Sequence, residues 1–482
     1  MGFLDLPKPL GVFHVAFADF ELRTYASDSD VKARGAAASR RGAVSEVHDD
    51  DDDDVERKER DEEEDEETGA RRVEISCRTP MVRFFYPTET KPKWSFSHAQ
   101  TRRWLPELRY TYGFFSKSIL PSSRLRRCFL WVLASLLHCW VWLQVNASVG
   151  EPLIQREGDK ERLPVVIFSH GMWACRTTYT LACCDMASHG YIVVVPEHLD
   201  GSAVAAQYTD TTGKKCWIQH AFADKPFDHI PMEHRTNQLR QRVQEIQKVV
   251  DVIEMLDWGT LTQTSNAVVG QGSLNVTMLQ GRLDMSYLAI RGHSFGGSTA
   301  IVVCGLDKRL KCCVAEDTWW QPMEQVHYDR LAGKAPILLL NNEKFEWEEL
   351  RRLRNVFLKA RAEAESDGQP LVTRLITLKG TRHMDQSDFP VLYPRIFRAA
   401  KLSGKVNTRI VKDVNSRACL EFLHRNLLPP GTHFPHAVHV VKEDSEYLIV
   451  GVSQEDEKLQ KRGVRNCELP HMNMNISAIG SE

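Results

Sequence analysis

The feature that most constrains this chain is a series of short apolar runs that starts near Pro164 and alternates with helical patterns. The runs occupy 165–168, 191–195, 286–291, 311–315, 337–340 and 375–378. Runs of this length and composition are typical of parallel strands that are buried on both faces. Apolar residues at spacings of three and four indicate a helix over 234–256, and further helices are predicted over 349–364 and 413–427. The pattern predicts an α/β fold whose central, mostly parallel sheet is flanked by helices.

Two more strand-like runs, 12–17 and 81–86, lie on either side of a low-complexity stretch. Residues 49–67 contain 15 Asp or Glu and 3 Lys or Arg, so this segment has a net charge of −12. The whole chain has a net charge of −2, and without the segment 59 basic and 49 acidic residues remain. Because consecutive aspartates cannot pack together, we predict a disordered, solvated insertion over 25–72 between two strands. A tract that binds a partner is the alternative.

A G-x-S-x-G motif lies where one of these strands meets a helical pattern. It reads Gly292-His293-Ser294-Phe295-Gly296, and small residues follow it at 297–300. In a strand-turn-helix bend the central serine exposes its hydroxyl in a strained conformation, and the glycines avoid clashes across the bend. This context predicts an α/β-hydrolase with Ser294 as its nucleophile.

A serine nucleophile needs a base and an orienting acid, which in this fold usually follow it in the order acid, then histidine. His383 comes just after the last apolar strand and fits the base, whereas His327 precedes a strand and fits less well. Two acids are candidates: Asp317 follows the run at 311–315, and Glu343 follows the run at 337–340. Spacing alone leaves both open.

The reaction also needs two backbone N–H groups that bind the oxyanion. We expect one from Phe295, which follows the nucleophile, and one from Met172, in the loop directly after the run at 165–168. His170 lies in the same loop and is interpreted as a buried, loop-fixing residue, because it precedes the nucleophile in the chain.

The segment 94–145 joins basic and aromatic residues to an apolar run. Cations among aromatic rings are typical of a surface that meets anionic lipid, and a packed helix with a solvated basic face is the alternative. The candidate lipid contacts are Trp104, Leu105, Phe114 and Phe115. Residues 128–145 reach the length of a transmembrane candidate. A span is impossible if the strands before and after it belong to one sheet, so we favour an interfacial or core-packed helix over a single transmembrane segment.

The N-terminus lacks the pattern of a secretory signal, and Leu6 departs from the myristoylation pattern that Gly2 would permit. The 12 cysteines show no disulfide-framework spacing. We expect a cytoplasmic protein with peripheral membrane association.

Several motifs occur together along the chain. They are Phe-Ser-His-Gly-Met at 168–172, Arg-Thr-Thr-Tyr at 176–179, Ser-His-Gly-Tyr at 188–191, Glu-His at 197–198, Asn-Gln-Leu-Arg-Gln-Arg at 237–242, Gly-His-Ser-Phe-Gly-Gly at 292–297, Asp-Thr-Trp at 317–319 and Lys-Gly-Thr-Arg-His at 379–383. In combination they resemble the platelet-activating-factor acetylhydrolases of the plasma and intracellular type II kind. The resemblance covers about 11–20 and 82–428.

The resemblance implies a calcium-independent serine hydrolase that cleaves the short or oxidised sn-2 acyl chain of phospholipids, with no metal or organic cofactor. It selects Asp317 as the acid, because the family's aspartate follows the strand after the nucleophile and precedes a tryptophan. It supports Met172 and Phe295 as oxyanion donors and the pairing of the two strands across the acidic insertion, and it implies lipid docking through a helix like that at 104–118. Trp319 and Trp320 are candidates for lining the acyl pocket, and core packing is the alternative.

The expected organisation is a first strand in 1–24, the acidic insertion in 25–72, the hydrolase domain in 73–428 and a partly disordered tail in 429–482. Expected partners are a phospholipid and a membrane or lipid-particle surface, with anionic lipid favoured and no nucleic acid. Two other functions remain open, namely another carboxylesterase or lipase of the same fold and a catalytically inactive membrane-associated scaffold. The intact set of Ser294, Asp317 and His383 disfavours the scaffold.

Overall fold

The structure is a computed structural model, and only part of the chain is described. The described residues are 7–21, 80–92, 103–118, 124–140, 145–155, 162–209, 214–220, 229–259, 276–327, 335–343, 362, 366, 373–427 and 447–450. The acidic insertion, nearly all of the predicted helix at 349–364 and most of the C-terminal tail lie outside these residues.

Within the described residues, ten strands form one sheet and two form a separate hairpin. The sheet strands are β1 (His14–Glu21), β2 (Met81–Thr88), β3 (Ser148–Val149), β4 (Leu163–Ser169), β5 (Ile192–Pro196), β8 (Leu283–His293), β9 (Leu310–Glu316), β10 (Ile337–Asn342), β11 (Arg374–Leu378) and β12 (Leu448–Val450), and the hairpin strands are β6 (Ala205–Thr209) and β7 (Lys215–Gln219). The sheet order is β12-β11-β10-β9-β8-β4-β5-β2-β1-β3. The strands from β11 to β5 are parallel, which confirms the predicted mostly parallel sheet.

Helices cover both faces of this sheet. They are α1 (Leu108–Ser118), α2 (Arg124–Trp140), α3 (Thr180–Ser188), α4 (Met232–Asp257), α5 (Phe295–Leu306), α6 (Phe389–Leu392), α7 (Pro394–Ala399) and α8 (Thr408–Leu427). Alternate residues of a strand point to opposite faces. Val165 and Ile167 of β4 therefore pack with α4 and α5, whereas Val166 and Phe168 pack with α3 and α8. Burial on both faces explains why these strands are continuous apolar runs.

The strands that flank the acidic insertion pair with each other, as predicted. β1 and β2 are antiparallel, with Phe17 opposite Phe85. A buried ion pair joins the same two strands, since Arg83 Nη2 lies 2.6 Å from Asp19 Oδ2. β3, which follows α2, pairs with β1, which precedes it. The strands on both sides of α2 therefore belong to one sheet, which is the arrangement that a span would not allow.

The helix α2 contains most of the apolar run at 128–145. It begins at Arg124, before the run, and ends at Trp140. Among the described residues, no helix combines the length and the apolarity needed to cross a membrane. α2 packs on α1 through Thr111 Oγ1, which lies 2.8 Å from His138 Nδ1, and through the rings of Tyr112 and Trp131, stacked 4.6 Å apart.

The structure corrects one of the four expected lipid contacts, Trp104. Trp104 is only 1% exposed, and its Nε1 donates to Asp388 Oδ2 at 3.1 Å, so it is a core residue rather than a lipid contact. Leu105, Phe114 and Phe115 are half-buried, and the ring of Phe114 packs edge-on against another ring. A tryptophan in a basic segment predicts an interfacial residue, but the buried N–H of Trp104 has a carboxylate acceptor.

The exposed apolar side chains of this region lie on α2 instead. Phe129 is 64% exposed, Val132 58% and Leu136 59%. Their spacing places them on one side of the helix, facing solvent.

Two further elements depart from the sequence expectation. The tail expected to trail off after 428 contributes β12, whose Ile449 pairs with Thr377 of β11. The β6–β7 hairpin was not predicted, because its strands mix polar and apolar residues without a clear alternation. The predicted strands and helices inside the described residues otherwise agree with the structure to within a few residues at each end.

Candidate active site

Ser294 lies at the bend between β8 and α5, half-buried, with φ of 58° and ψ of −117°. A positive φ is costly for a residue with a side chain, so the surrounding structure must hold it in place. Its N–H donates to Glu316 O at 2.8 Å, and its carbonyl accepts from Trp319 N at 3.1 Å. These bonds to the segment after β9 fix the predicted nucleophile at the carboxyl edge of the sheet.

The glycines around Ser294 are required by close backbone contacts. A Cβ on Gly292 would lie 2.1 Å from Gly296 O, and a Cβ on Gly296 would lie 2.0 Å from Ser169 O. Both distances are far below van der Waals contact, so no side chain fits at either position. The sharp bend therefore depends on both glycines of the motif.

His383 and Asp317 meet as the predicted base and acid. His383 Nδ1 lies 3.3 Å from Asp317 Oδ2, and Asp317 Oδ1 accepts from Asn342 N at 2.6 Å. Burial would raise the pKa of Asp317, but the neighbouring imidazoles of His293 and His383 outweigh it and lower that pKa to about 2. Asp317 is therefore ionised at neutral pH, the state in which it orients an imidazole and stabilises its cation.

The alternative acid, Glu343, has a different partner. Its Oε2 accepts from Gly380 N at 2.7 Å, so it holds the loop that leads to His383 rather than the imidazole itself. Strand spacing could not separate the two acids, because both follow neighbouring strands and end at the same edge of the sheet.

His293 is a second histidine at this site, and the sequence analysis predicted no role for it. Its Nε2 lies 3.8 Å from Asp317 Oδ2, and its Nδ1 lies 2.8 Å from Tyr179 Oη. Burial, followed by the nearby His383, lowers the pKa of His293 to about 4, so the ring is neutral at physiological pH. The sequence feature that could have indicated a role for His293 is its position directly before Ser294.

The same three side chains are the group of possible metal ligands found among the described residues. Ligand atoms of His293, Asp317 and His383 lie within 4.8 Å of one another. Such spacing also arises where two imidazoles face one carboxylate, as His293 and His383 face Asp317 here.

The loop after β4 passes directly beside the nucleophile. A Cβ on Gly171 would lie 3.3 Å from Ser294 Cβ, so the glycine allows this close approach. Met172, the next residue, is half-buried, and Phe295 is the first residue of α5. The first N–H groups of a helix have no partner within the helix and attract negative charge. The structure thus brings both predicted oxyanion donors to the neighbourhood of Ser294.

The two candidate pocket residues are both buried, and they pack in the same core cluster. Trp319 is 6% exposed, and its ring packs edge-on against Phe295 with centroids 5.2 Å apart. Trp320 has 0% exposure and packs in the core, so the structure does not support it as a substrate contact. Packing, the alternative interpretation, accounts for Trp320.

With this geometry established, comparisons with known proteins identify the family. The family model described as platelet-activating factor acetylhydrolase, isoform II, matches residues 69–430. The chain belongs to this family. The resemblance seen in the sequence motifs is thereby confirmed.

Curated relatives agree with this family. Platelet-activating factor acetylhydrolase of Bos taurus is 31% identical over 353 residues, which cover 72% of this chain and 71% of the relative. A putative phospholipase A2 of Schizosaccharomyces pombe is 24% identical over 396 residues, covering 74% of this chain and 86% of the relative.

A solved structure supports the fold. A ferulic acid esterase from Streptomyces cinnamoneus superimposes with a TM-score of 0.51 at 17% sequence identity, covering 88% of this chain and 94% of that one. The predicted α/β-hydrolase fold is confirmed. Family and fold together make the chain a carboxylic ester hydrolase that acts on phospholipid esters.

Proposed function

We propose that the chain hydrolyses the sn-2 ester of phospholipids that carry an acetyl, short or oxidised acyl chain, platelet-activating factor among them. The observation that carries this proposal is the strained Ser294 together with the buried Asp317 and the half-buried His383 that it faces, in a chain of this family. No step requires calcium, because the charge of the transition state is met by protein groups.

In the proposed reaction, His383 accepts the proton of Ser294 Oγ as that oxygen attacks the sn-2 carbonyl carbon. Asp317 holds the imidazole through Nδ1 and stabilises its cation. The tetrahedral intermediate then collapses, and the lysophospholipid leaves with a proton from His383. Water, deprotonated by the same histidine, attacks the acyl-enzyme, and the carboxylic acid is released while Ser294 regains its proton.

Two backbone N–H groups would bind the oxygen that becomes negatively charged. Met172 and Phe295 are assigned this role because the loop after β4 and the start of α5 both flank Ser294. Removal of one such donor costs about 3 kcal/mol of transition-state stabilisation in comparable enzymes. Trp319, which packs on Phe295, is the candidate for the wall that receives the short acyl chain.

The proposed partner surface is a lipid membrane or particle, contacted by the lipid-facing side of α2, defined as Phe129, Val132 and Leu136. These side chains are largely exposed, and apolar side chains on one side of a helix are typical of interfacial insertion. Three of the first four residues of α2 are arginines, which favours anionic lipid. Trp131, which stacks on Tyr112 of α1, anchors α2 to the rest of the protein.

The experiment that tests the substrate class is hydrolysis of a series of phosphatidylcholines whose sn-2 chain grows from acetyl to palmitoyl, with calcium or with a chelator. We expect turnover of the acetyl and short-chain members at equal rates with and without calcium. Preferential turnover of long chains or of triglycerides would instead favour a general lipase.

A further inference from the structure

A second serine–histidine–carboxylate arrangement lies next to the catalytic one and is closed to solvent. His198 Nε2 lies 2.8 Å from Ser169 Oγ, and His198 Nδ1 lies 2.7 Å from Glu245 Oε2. Ser169 and His198 are 0% exposed and Glu245 is 5% exposed. Because substrate cannot reach the Ser169 hydroxyl, the arrangement must act on other protein groups.

Ser169 stands at the start of the loop that leads to Met172. It is the last residue of β4 and pairs in register with Gly292 of β8, two positions before the nucleophile. Its carbonyl also abuts Gly296 in the first turn of α5, as the clash distance of 2.0 Å for a Cβ there shows. Fixing Ser169 therefore fixes the start of the loop against the nucleophile bend.

His170 ties this loop to the one after β5. Its Nδ1 lies 2.8 Å from Gly171 O, and its Nε2 accepts from His198 N at 3.2 Å. A carbonyl only accepts and an amide N–H only donates, so His170 carries its proton on Nδ1 and is neutral. Burial, followed by the charge of Arg242, lowers the pKa of His170 well below its usual value, in agreement with this state.

One guanidinium contacts both segments that supply the proposed oxyanion donors. Arg242 Nη1 donates to His170 O at 2.7 Å, and its Cζ lies 4.4 Å from the centroid of the Phe295 ring. Its Nε donates to Asp200 Oδ2 at 2.9 Å, and this pair is fully buried. Arg242 and Glu245 lie three positions apart on α4, so one face of that helix holds both loops.

We propose that this buried set is a positioning network, made of Ser169, His198, Glu245 and Arg242. It holds the two oxyanion amides at the spacing that the transition state needs, and none of its members touches substrate. The inference rests on the proposed function, because it takes those amides as the oxyanion donors. Small displacements of such donors weaken transition-state binding more than substrate binding.

The test compares Ser169→Ala with Ser188→Ala as a matched control. Ser188 is also 0% exposed, its Oγ donates to Asp185 O at 2.7 Å, and it lies on α3 outside the proposed network. The readouts are kcat and KM for p-nitrophenyl acetate, expressed per active site after exhaustive fluorophosphonate labelling, together with inhibition by an acyl trifluoromethyl ketone.

We expect Ser169→Ala to lower kcat per active site at least about fivefold, leave KM within about twofold and weaken the ketone in parallel. Ser188→Ala should change only the unfolding temperature. Glu245→Gln, which can keep the contact to His198, should retain most of the activity that Glu245→Ala loses. A smaller loss of kcat per active site in Ser169→Ala, or a loss equal to that of Ser188→Ala, would overturn the network while leaving the proposed function intact. The proposed function itself fails separately, if Ser294→Ala retains the wild-type turnover of this ester.

Discussion

At the level of single residues, Asp317 has two roles that depend on its two oxygens. Oδ1 accepts from the backbone N–H of Asn342, and Oδ2 accepts from the Asn342 side-chain amide and faces the imidazole of His383. The contacts with Asn342 fix the carboxylate, and the contact with His383 fixes the imidazole. Glu343 accepts from Gly380 N in the loop that leads to His383, so its carboxylate acts on that loop and not on the imidazole.

This difference predicts unequal effects of neutralising the two acids. Asp317→Asn should lower kcat by about 10²- to 10⁴-fold, because an amide cannot stabilise the imidazolium and favours the wrong tautomer. Glu343→Gln should cost less than about tenfold, since its amide oxygen can still accept from Gly380. Steady-state kinetics on a soluble ester would measure both, and the reverse order would contradict the acid assignment.

Sequence reasoning located Ser294 and His383 because each has a local signal, a glycine bend and a loop after a strand. It could not choose between Asp317 and Glu343 without the family resemblance, because which acid meets the imidazole depends on side-chain direction. It also took Trp104 for a surface residue, since the carboxylate of Asp388 that receives its N–H is distant in the chain. Contacts of this kind are fixed by tertiary packing and leave no local pattern.

Among the elements, α1 and α2 form a pair of helices whose inner side is anchored and whose outer side is apolar. Tyr110 Oη donates to Glu197 Oε2 at 3.0 Å, and a Cβ on Gly113 would lie 2.7 Å from Val204 O. α1 is thus held tightly to the hydrolase core, and α2 is held by α1. The sequence predicted an interfacial segment with contacts in and just before α1, and of these Trp104 is buried, whereas the exposed apolar side chains lie on α2.

Lipid binding through α2 should depend on its exposed side chains. Changing Phe129, Val132 and Leu136 together to serine should weaken binding to anionic phospholipid vesicles at least about tenfold, because each loses the free energy of burying an apolar side chain. Hydrolysis of a water-soluble ester should stay unchanged. Vesicle co-sedimentation measures the first quantity and steady-state kinetics the second.

A matched control is available outside α2, at the ends of two other helices. Trp258, 66% exposed, and Leu306, 40% exposed, lie at the C-terminal ends of α4 and α5, away from the carboxyl ends of the strands. Their change to serine should leave vesicle binding intact. Equal loss in both sets of variants would show that general apolarity, rather than α2, attaches the protein to lipid.

In the molecule as a whole, Asp388 joins three parts that are distant in the chain. It accepts from Trp104 Nε1 at 3.1 Å and from Leu181 N at 3.3 Å, and it follows the loop that carries His383. Burial raises the pKa of Asp388 to about 7, although Lys412 and these hydrogen bonds oppose the rise.

The raised pKa gives the free energy of unfolding a defined pH dependence. An unfolded aspartic acid releases its proton near pH 4, so between about pH 4 and 7 the folded state binds the extra proton and stability falls as pH rises. The Asp388→Asn variant has no carboxyl group at this position, so it binds no extra proton in this pH range. The stability of the wild type relative to the variant should therefore fall by about 2 kcal/mol from pH 5 to pH 7. Urea unfolding at both values measures it, and a constant difference would contradict the buried acid.

The overall charge of −2 combines an acidic segment, which lies outside the described residues, with a basic remainder. The pairing of β1 with β2 confirms that the chain returns to the same sheet on either side of that segment. Pairing of these two strands was predictable from the family resemblance, which supports their pairing across the segment. The β12 strand was not, since three residues carry too little periodicity.

The nucleophilic role of Ser294 towards the sn-2 ester can be tested by acetate release. Wild type and Ser294→Ala are compared for release of acetate from 1-alkyl-2-acetyl-glycerophosphocholine in the presence of a chelator, with circular dichroism confirming that both are folded. The wild type should turn the lipid over, and Ser294→Ala should lose at least about 10³-fold in kcat. Turnover by the folded Ser294→Ala variant near the wild-type rate would show that Ser294 is not the nucleophile.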